Sequence, residues 1–186
     1  MRKYFIALVL IFVAIQLFFE ETSEKDNNVS DEISEQKIEE FVYFPQPENG
    51  FSPYDSFFGR GIYEKSTYNS FVIKNSNSTD TVVLLVDAYS GRKVRNEYIR
   101  KGETFSMTSV PNGTYFLRWM SGNHWSPEIS IGNLNGGFQR DVSASQSDDY
   151  EDWMLADGGV EWTITLYTVS DGNMDTESID LNTFGN

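Results

Sequence analysis

Cysteine is absent from the 186 residues. That absence excludes disulfides, thiolate metal sites, cysteine catalysis and a lipid-modified cysteine anchor. Histidine occurs once, as His124. A lone imidazole cannot build a multi-histidine zinc site, and neither a G-x-S-x-G nor an H-E-x-x-H motif is present to supply hydrolytic or metalloprotease chemistry. Positive charge is also scarce: 14 Lys and Arg stand against 28 Asp and Glu, for a net charge of −14. Phosphate backbones and anionic lipid surfaces repel such a chain, so nucleic acid is excluded as a partner. Amphipathic helical periodicity is nearly missing as well, which leaves little from which to build a helical domain.

What the chain does have in quantity is aromatic side chains, 15% of the total and mostly Phe and Tyr. Such a composition suits a packed sheet protein and leaves room for one domain with a hydrophobic core.

The N-terminus carries the clearest signal for location. Arg2 and Lys3 precede an apolar run from Tyr4 to Phe19 that only Gln16 interrupts, and Glu20 and Glu21 come directly after it. This is the pattern of an export signal, read over residues 1–19 as a signal anchor or a signal peptide, without a clear small-residue cleavage site. Residues 4–19 are therefore the expected membrane contact. The positive end stays inside, so the remainder is expected to be extracytoplasmic: membrane-anchored if the segment is uncleaved, secreted if it is cleaved. Residues 20–40 hold nine acidic residues and two lysines. They read as a solvated acidic linker or stalk with too few apolar groups to offset ordering entropy, within which Ser30 to Phe41 has the caps and charges of a short helix.

Residues 41–68 open with FVYFPQPENGFSPYDSFFGRGIY, which holds three of the five prolines and three glycines among many aromatics. They are expected to form an irregular arm laid over the domain. From residue 69 to residue 186 the pattern is all-β. Ser70–Lys74, Thr81–Tyr89, Val94–Ile99, Thr104–Val110, a run through Tyr115–Trp119 and Val160–Val169 read as strands, with shorter candidates at Ile129–Ile131 and Phe138–Val142. Tyr115, Leu117 and Trp119 alternate with Phe116, Arg118 and Met120, and the first set is the expected core face. About seven short strands with turn signals between them indicate an antiparallel β-sandwich, preceded by the N-terminal hydrophobic helix and acidic linker.

One stretch carries a family likeness. GETFSMTSVPNGTYFLRW, Gly102 to Trp119, resembles the strand–turn–strand signature of transthyretin-like or carboxypeptidase regulatory-like β-sandwich domains. Phe105, Val110, Pro111, Gly113, Thr114 and Tyr115 stand in the positions of that signature. With the preceding VVLLVDAYSGRKV the likeness spans about residues 81–119. The resemblance implies a β-sandwich and a non-catalytic structural, carbohydrate-binding or interaction module.

Candidate site residues lie in expected loops. His124 and Trp125 come after the Tyr115–Trp119 strand, and Trp153 falls in the loop SASQSDDYEDW. Together they form a candidate binding edge for a protein or carbohydrate ligand, since loop tryptophans stack on sugars or anchor partners. Asp148, Asp149, Glu151 and Asp152 are the candidate cation ligands. Calcium takes six to eight oxygens that clustered carboxylates can supply, although the spacing is not that of an EF-hand. No other cofactor is indicated, and no catalytic residue is assigned. The reading is thus a non-enzymatic binding or structural module. Its alternatives are an extracytoplasmic carbohydrate-active enzyme using paired carboxylates, or a calcium-dependent adhesion module.

Overall fold

The computed structural model describes residues 42–147, 149–167 and 174–186. The hydrophobic segment 4–19 and the acidic linker lie outside the described residues, as do Asp148 and residues 168–173. Nine strands are present among the described residues: β1 (Asn69–Lys74), β2 (Asp80–Asp87), β3 (Lys93–Ile99), β4 (Thr104–Val110), β5 (Gly113–Ile131), β6 (Leu134–Gln146), β7 (Met154–Ala156), β8 (Glu161–Thr165) and β9 (Glu177–Ser178). The one α-helix among those residues, α1 (Asp55–Phe58), is a single turn. The domain is therefore all-β and built of two sheets. A three-stranded sheet has the order β4-β1-β8, and a larger one has the order β3-β2-β5-β6-β9 with β7 paired to β5.

Every pairing is antiparallel except β1 with β8, which is parallel. The expectation of a wholly antiparallel sandwich is corrected at this pair. Parallel neighbours need a long connection, and here β2 to β7, which include every strand of the larger sheet but β9, come between the two strands before the chain returns beside β1. A second correction concerns length. The short strands expected at 129–131 and 138–142 are parts of β5 and β6, a long hairpin closed by Gly132 and Asn133 between the paired residues Ile131 and Leu134. Gly132 takes φ 57°, the left-handed conformation such a two-residue turn requires.

β-branched and aromatic residues make these strands, and alternation sends them to two cores. Phe71 and Ile73 from β1, Met107 and Val110 from β4, and Ile164 from β8 pack against Val83, Leu85, Tyr115, Leu117 and Trp119 of the larger sheet. This is the core between the sheets. Intervening residues of the larger sheet, Val82, Leu84, Val86, Phe116 and Met120, face the other way and are buried too. Tyr54 from the arm, Trp125, Leu134 and Phe138 from the long hairpin, and Phe184 near the chain end cover them. β2 is consequently buried on both faces, which explains why TVVLLV is a continuous apolar run and not an alternating one.

Polar contacts tie the arm down. Asp80 is buried, and its carboxylate accepts from Tyr98 Oη at 2.6 Å, from Gln46 Nε2 at 2.9 and 3.0 Å, and from the Lys101 amide at 2.8 Å. All four bonds need an acceptor. Asp80→Asn turns one oxygen into a donor facing donors, and is expected to destabilise by about 1–3 kcal/mol. Urea denaturation of the two proteins measures it, with an unchanged midpoint as the contrary result. Burial, then the Asp80 carboxylate, pushes the Tyr98 hydroxyl far above its ordinary pKa, so the phenol stays a donor throughout the working range.

Candidate functional site

His124 stands within β5, not in a loop after it, and its backbone is left-handed at φ 57°. Across the hairpin Asp141 is also left-handed at φ 53°, next to the register shift between Ser121 and Asn123. Asn123 Nδ2 donates to Asp141 Oδ2 at 2.8 Å and so braces this bulge. His124 is exposed, with its ring centroid 6.1 Å from that of Tyr43 in the arm. Trp125, next in sequence, turns to the opposite side and is buried against Tyr54, Tyr98 and Phe138, with centroids 6.1, 5.6 and 5.3 Å away. The expectation that Trp125 lies in a loop is corrected: it is a core residue.

Trp153 is half-buried, with Tyr89 and Tyr150 at centroid distances of 5.6 and 5.1 Å. None of these rings is a ring partner of Trp125 or His124. Asp149 uses its Oδ1 to accept from the Glu151 amide at 3.0 Å, which caps the 3₁₀ turn Tyr150–Asp152. Asp152 Oδ2 accepts from the Asp175 amide at 2.8 Å. Among the described residues no group of three or more His, Asp or Glu side chains is arranged to hold a metal ion, and Asp148 lies outside those residues.

A concavity lies elsewhere, where β8 of the smaller sheet faces the larger sheet. A groove of about 590 Å³ runs between β8 and the turn that carries Glu151 and Asp152. Trp119 from β5, Trp153 and Met154 line one side, and Ser145 of β6 joins them. The other side is β8 and its continuation, all six residues from Trp162 to Tyr167. Trp162 Nε1 donates to the Leu155 carbonyl at 2.9 Å, bridging from β8 to β7. The indole of Trp153 has a buried Nε1 without an acceptor among the described residues, a desolvated donor in the wall of the groove.

Of the residues expected from sequence to form a site, Trp153, Glu151 and Asp152 meet in this groove, while His124 and Trp125 are not among its lining. Alternation places Trp119, Trp162 and Tyr167 in strands, where nothing in the sequence marks them as site residues. A second hollow of about 580 Å³ is lined by Lys74, Asn75, Ser76, Asn77, Ser78 and Tyr167 among others. Its polar groups are largely spent on the turn itself: Asn75 Nδ2 donates to the carbonyls of Thr79 and Ile99, and the Ser76 and Ser78 hydroxyls bond each other.

The groove combines apolar rings, edge backbone and two carboxylates from consecutive residues, a set suited to holding a ligand by contact and hydrogen bonding. No family model, curated protein or solved structure matches this chain.

Proposed function

We propose that this protein is an exported, membrane-anchored, non-enzymatic β-sandwich module that binds a ligand in the groove between β8 and the Tyr150–Asp152 turn. The observation that carries the reading is the composition of that groove, with Trp119, Trp153, Trp162 and Tyr167 beside Glu151 and Asp152. Amphipathic rings with a few polar groups are what ligand recognition uses. The carboxylates also favour binding over chemistry. Glu151 and Asp152 are neighbours on one turn, and Asp152 is already engaged by the Asp175 amide. Glycoside hydrolysis needs two carboxyls on opposite sides of the scissile bond, about 5–10 Å apart, and the described residues facing that turn across the groove are threonines, aromatics and aliphatics. The export reading rests on Arg2, Lys3 and the apolar run to Phe19.

The full-length chain in detergent is expected to bind members of a mixed peptide and oligosaccharide array. Tyr167→Ala and Trp153→Ala should each weaken the binding by about tenfold or more, the scale of a central aromatic anchor, while His124→Ala leaves it unchanged. Array ligands that bind both groove variants as tightly as the parent would rule the groove out. Fractionation with N-terminal sequencing checks the anchor, and a chain found in the soluble cytoplasmic fraction would overturn it.

A further inference from the structure

Sheet edges are where unpaired backbone invites another strand, and folds normally cover or distort them. This chain does so with its own segments. The β3 edge is taken by the arm: Gly50 N donates to Tyr98 O, Tyr98 N to Phe51 O and Ile62 N to Val94 O. On the β4 edge, Glu64 N donates to Ser109 O, Arg95 Nη1 to Thr108 O and Asn49 Nδ2 to Thr104 O. β6 is met by β9 and by Ile179 N donating to Ala144 O, and further along it carries the Asp141 bulge. The β8 edge has no such cover among the described residues.

The ladder with β1 determines which backbone groups β8 leaves open. Ser70 N donates to Val160 O and Leu166 N donates to Lys74 O, both at 2.9 Å. Successive residues of a strand point their N–H and C=O to alternate sides. Val160, Trp162, Ile164 and Leu166 therefore bond toward β1, and the amides and carbonyls of Glu161, Thr163 and Thr165 point away from the sheet. They meet no partner among the described residues. The side chains agree: Ile164 is in the core and Trp162 packs against it, whereas Glu161 and Thr163 are exposed. β8 also lines the tryptophan groove along its length.

We infer that the ligand of this groove is an extended peptide carrying basic residues, added as a further strand on the open edge of β8. The inference rests on the groove being a binding site. Main-chain bonds to Thr163 and Thr165 would supply affinity, and alternate side chains of the peptide would enter the groove against Trp153 and Met154. Charge selects the partner. Glu151 and Asp152 line the groove, Glu161 stands on the edge, and no Lys or Arg is among its described lining residues. A net charge of −14 on each chain opposes pairing of β8 with a second copy.

The test uses the full-length chain and a blocked octapeptide of alternating Val and Lys, with its Val–Glu counterpart and a version N-methylated on alternate residues. Binding of the Val–Lys peptide alone is expected, with slowed hydrogen exchange at the Thr163 and Thr165 amides. Thr163→Pro removes one outward donor that β1 does not use, as a proline on a sheet edge does, and should weaken binding about tenfold, the scale of one hydrogen bond. Thr163→Val should not. Thermal melts check that the proline variant folds, and the N-methylated peptide makes the same test without altering the protein. If Thr163→Pro and the N-methylated peptide bind like their parents while Trp153→Ala loses affinity, strand addition is wrong and the groove stands. Binding indifferent to Trp153→Ala as well would remove the groove itself. Oligosaccharide binding without peptide binding, or a dimer in sedimentation that Thr163→Pro abolishes, would overturn the peptide assignment.

Discussion

Replacing Trp125 by alanine is expected to cost about 3–5 kcal/mol, the range for removing a large aromatic from a packed core. The residue is 6% exposed and sits at the centre of the outer core. Its indole meets Tyr98 and Phe138 nearly edge-on, at interplanar angles of 81° and 79°. Such contacts add about 0.5–1.5 kcal/mol each beyond area burial. Tyr54 depends on the same cluster. Its ring lies 6.1 Å from Trp125 and from Phe184, and its hydroxyl donates to the Gly136 carbonyl at 3.0 Å. Loss of the indole should therefore loosen the arm as well as lower stability, read as faster amide exchange at residues 50–58 together with a lower urea midpoint. Gly136 provides a cross-check. Its φ is +110°, and a β-carbon there would lie 2.6 Å from Trp125 Cζ2. Gly136→Ala is expected to be severely destabilising in the parent and distinctly less so in the Trp125→Ala background. Additive costs in that double-mutant cycle would show that the two positions do not press on each other.

That outer core is also where the sequence was hardest to read. Patterning fixes which residues alternate but not how many faces are covered. Tyr115, Leu117 and Trp119 fall on the inter-sheet face as expected, yet Phe116 and Met120 behind them are buried too. Their cover comes from Tyr54 and Phe184, which are 130 residues apart in the chain. Arg118, on the same side, is buried beside them and its guanidinium ties the sheet to the chain end: Nε donates to Gln146 Oε1, and Nη1 to the carbonyls of Thr183 and Asn186. No local pattern announces such a partner. Strand boundaries were easier, because turn residues mark them: β4 runs from Thr104 to Val110 as read from Lys101–Gly102 and Pro111–Gly113. The same logic misled at Gly122–His124, expected to lie in a loop past the Tyr115–Trp119 strand. Those breaker residues lie inside β5, where left-handed His124 and the nearby register shifts absorb them without ending the strand.

The groove was legible only in pieces. Trp153, Glu151 and Asp152 stood out because they sit in a polar loop where burial is not assured. Trp119 and Trp162 looked like ordinary core residues, and by burial Trp119 largely is one. What makes Trp162 a neighbour of the acidic turn is the parallel return of β8 beside β1, while Trp119 is brought near it by the pairing of β5 with β7. Parallel pairing across so long a connection leaves no short-range mark in composition or spacing. His124 drew attention by being unique, but uniqueness is a property of composition and says nothing about neighbours. Its bulge places it beside Tyr43, away from the groove.

The second large effect is expected at the buried ion pair in β3. Arg95 and Glu97 have side chains only 4% and 2% exposed, with Arg95 Nη2 2.6 Å and Nε 2.7 Å from Glu97 Oε1. They share the face of β3 that turns toward β4, where Arg95 Nη1 reaches the Thr108 carbonyl at 3.0 Å and the guanidinium lies 4.1 Å from the Tyr63 ring centre. Arg95 is thus well satisfied, but Glu97 Oε2 is buried without a partner among the described residues. Burial pushes the Glu97 carboxyl above its usual pKa; Arg95 pulls it down and Asp55 adds to the rise, and burial prevails. Linkage sets the sign. A carboxyl raised in the folded state binds its proton more tightly there than when unfolded, so its contribution is fully present below the unfolded value near 4.5 and is lost as pH rises through the folded value. Glu97→Gln keeps the shape and cannot ionise. The parent should therefore lose stability relative to Glu97→Gln as pH rises from about 4 toward about 8, and urea midpoints of the two proteins across that range measure the difference. A parent that gains on the variant over that range would show that Arg95 outweighs burial. Glu97→Ala is a different perturbation, because it strands the guanidinium in the core, and it is expected to cost about 3–5 kcal/mol at neutral pH. Replacing both residues together, as Arg95→Met with Glu97→Leu, removes both desolvated charges and the orphaned Oε2. That pair should come out close to the parent or above it, separating the cost of a stranded charge from the worth of the pair.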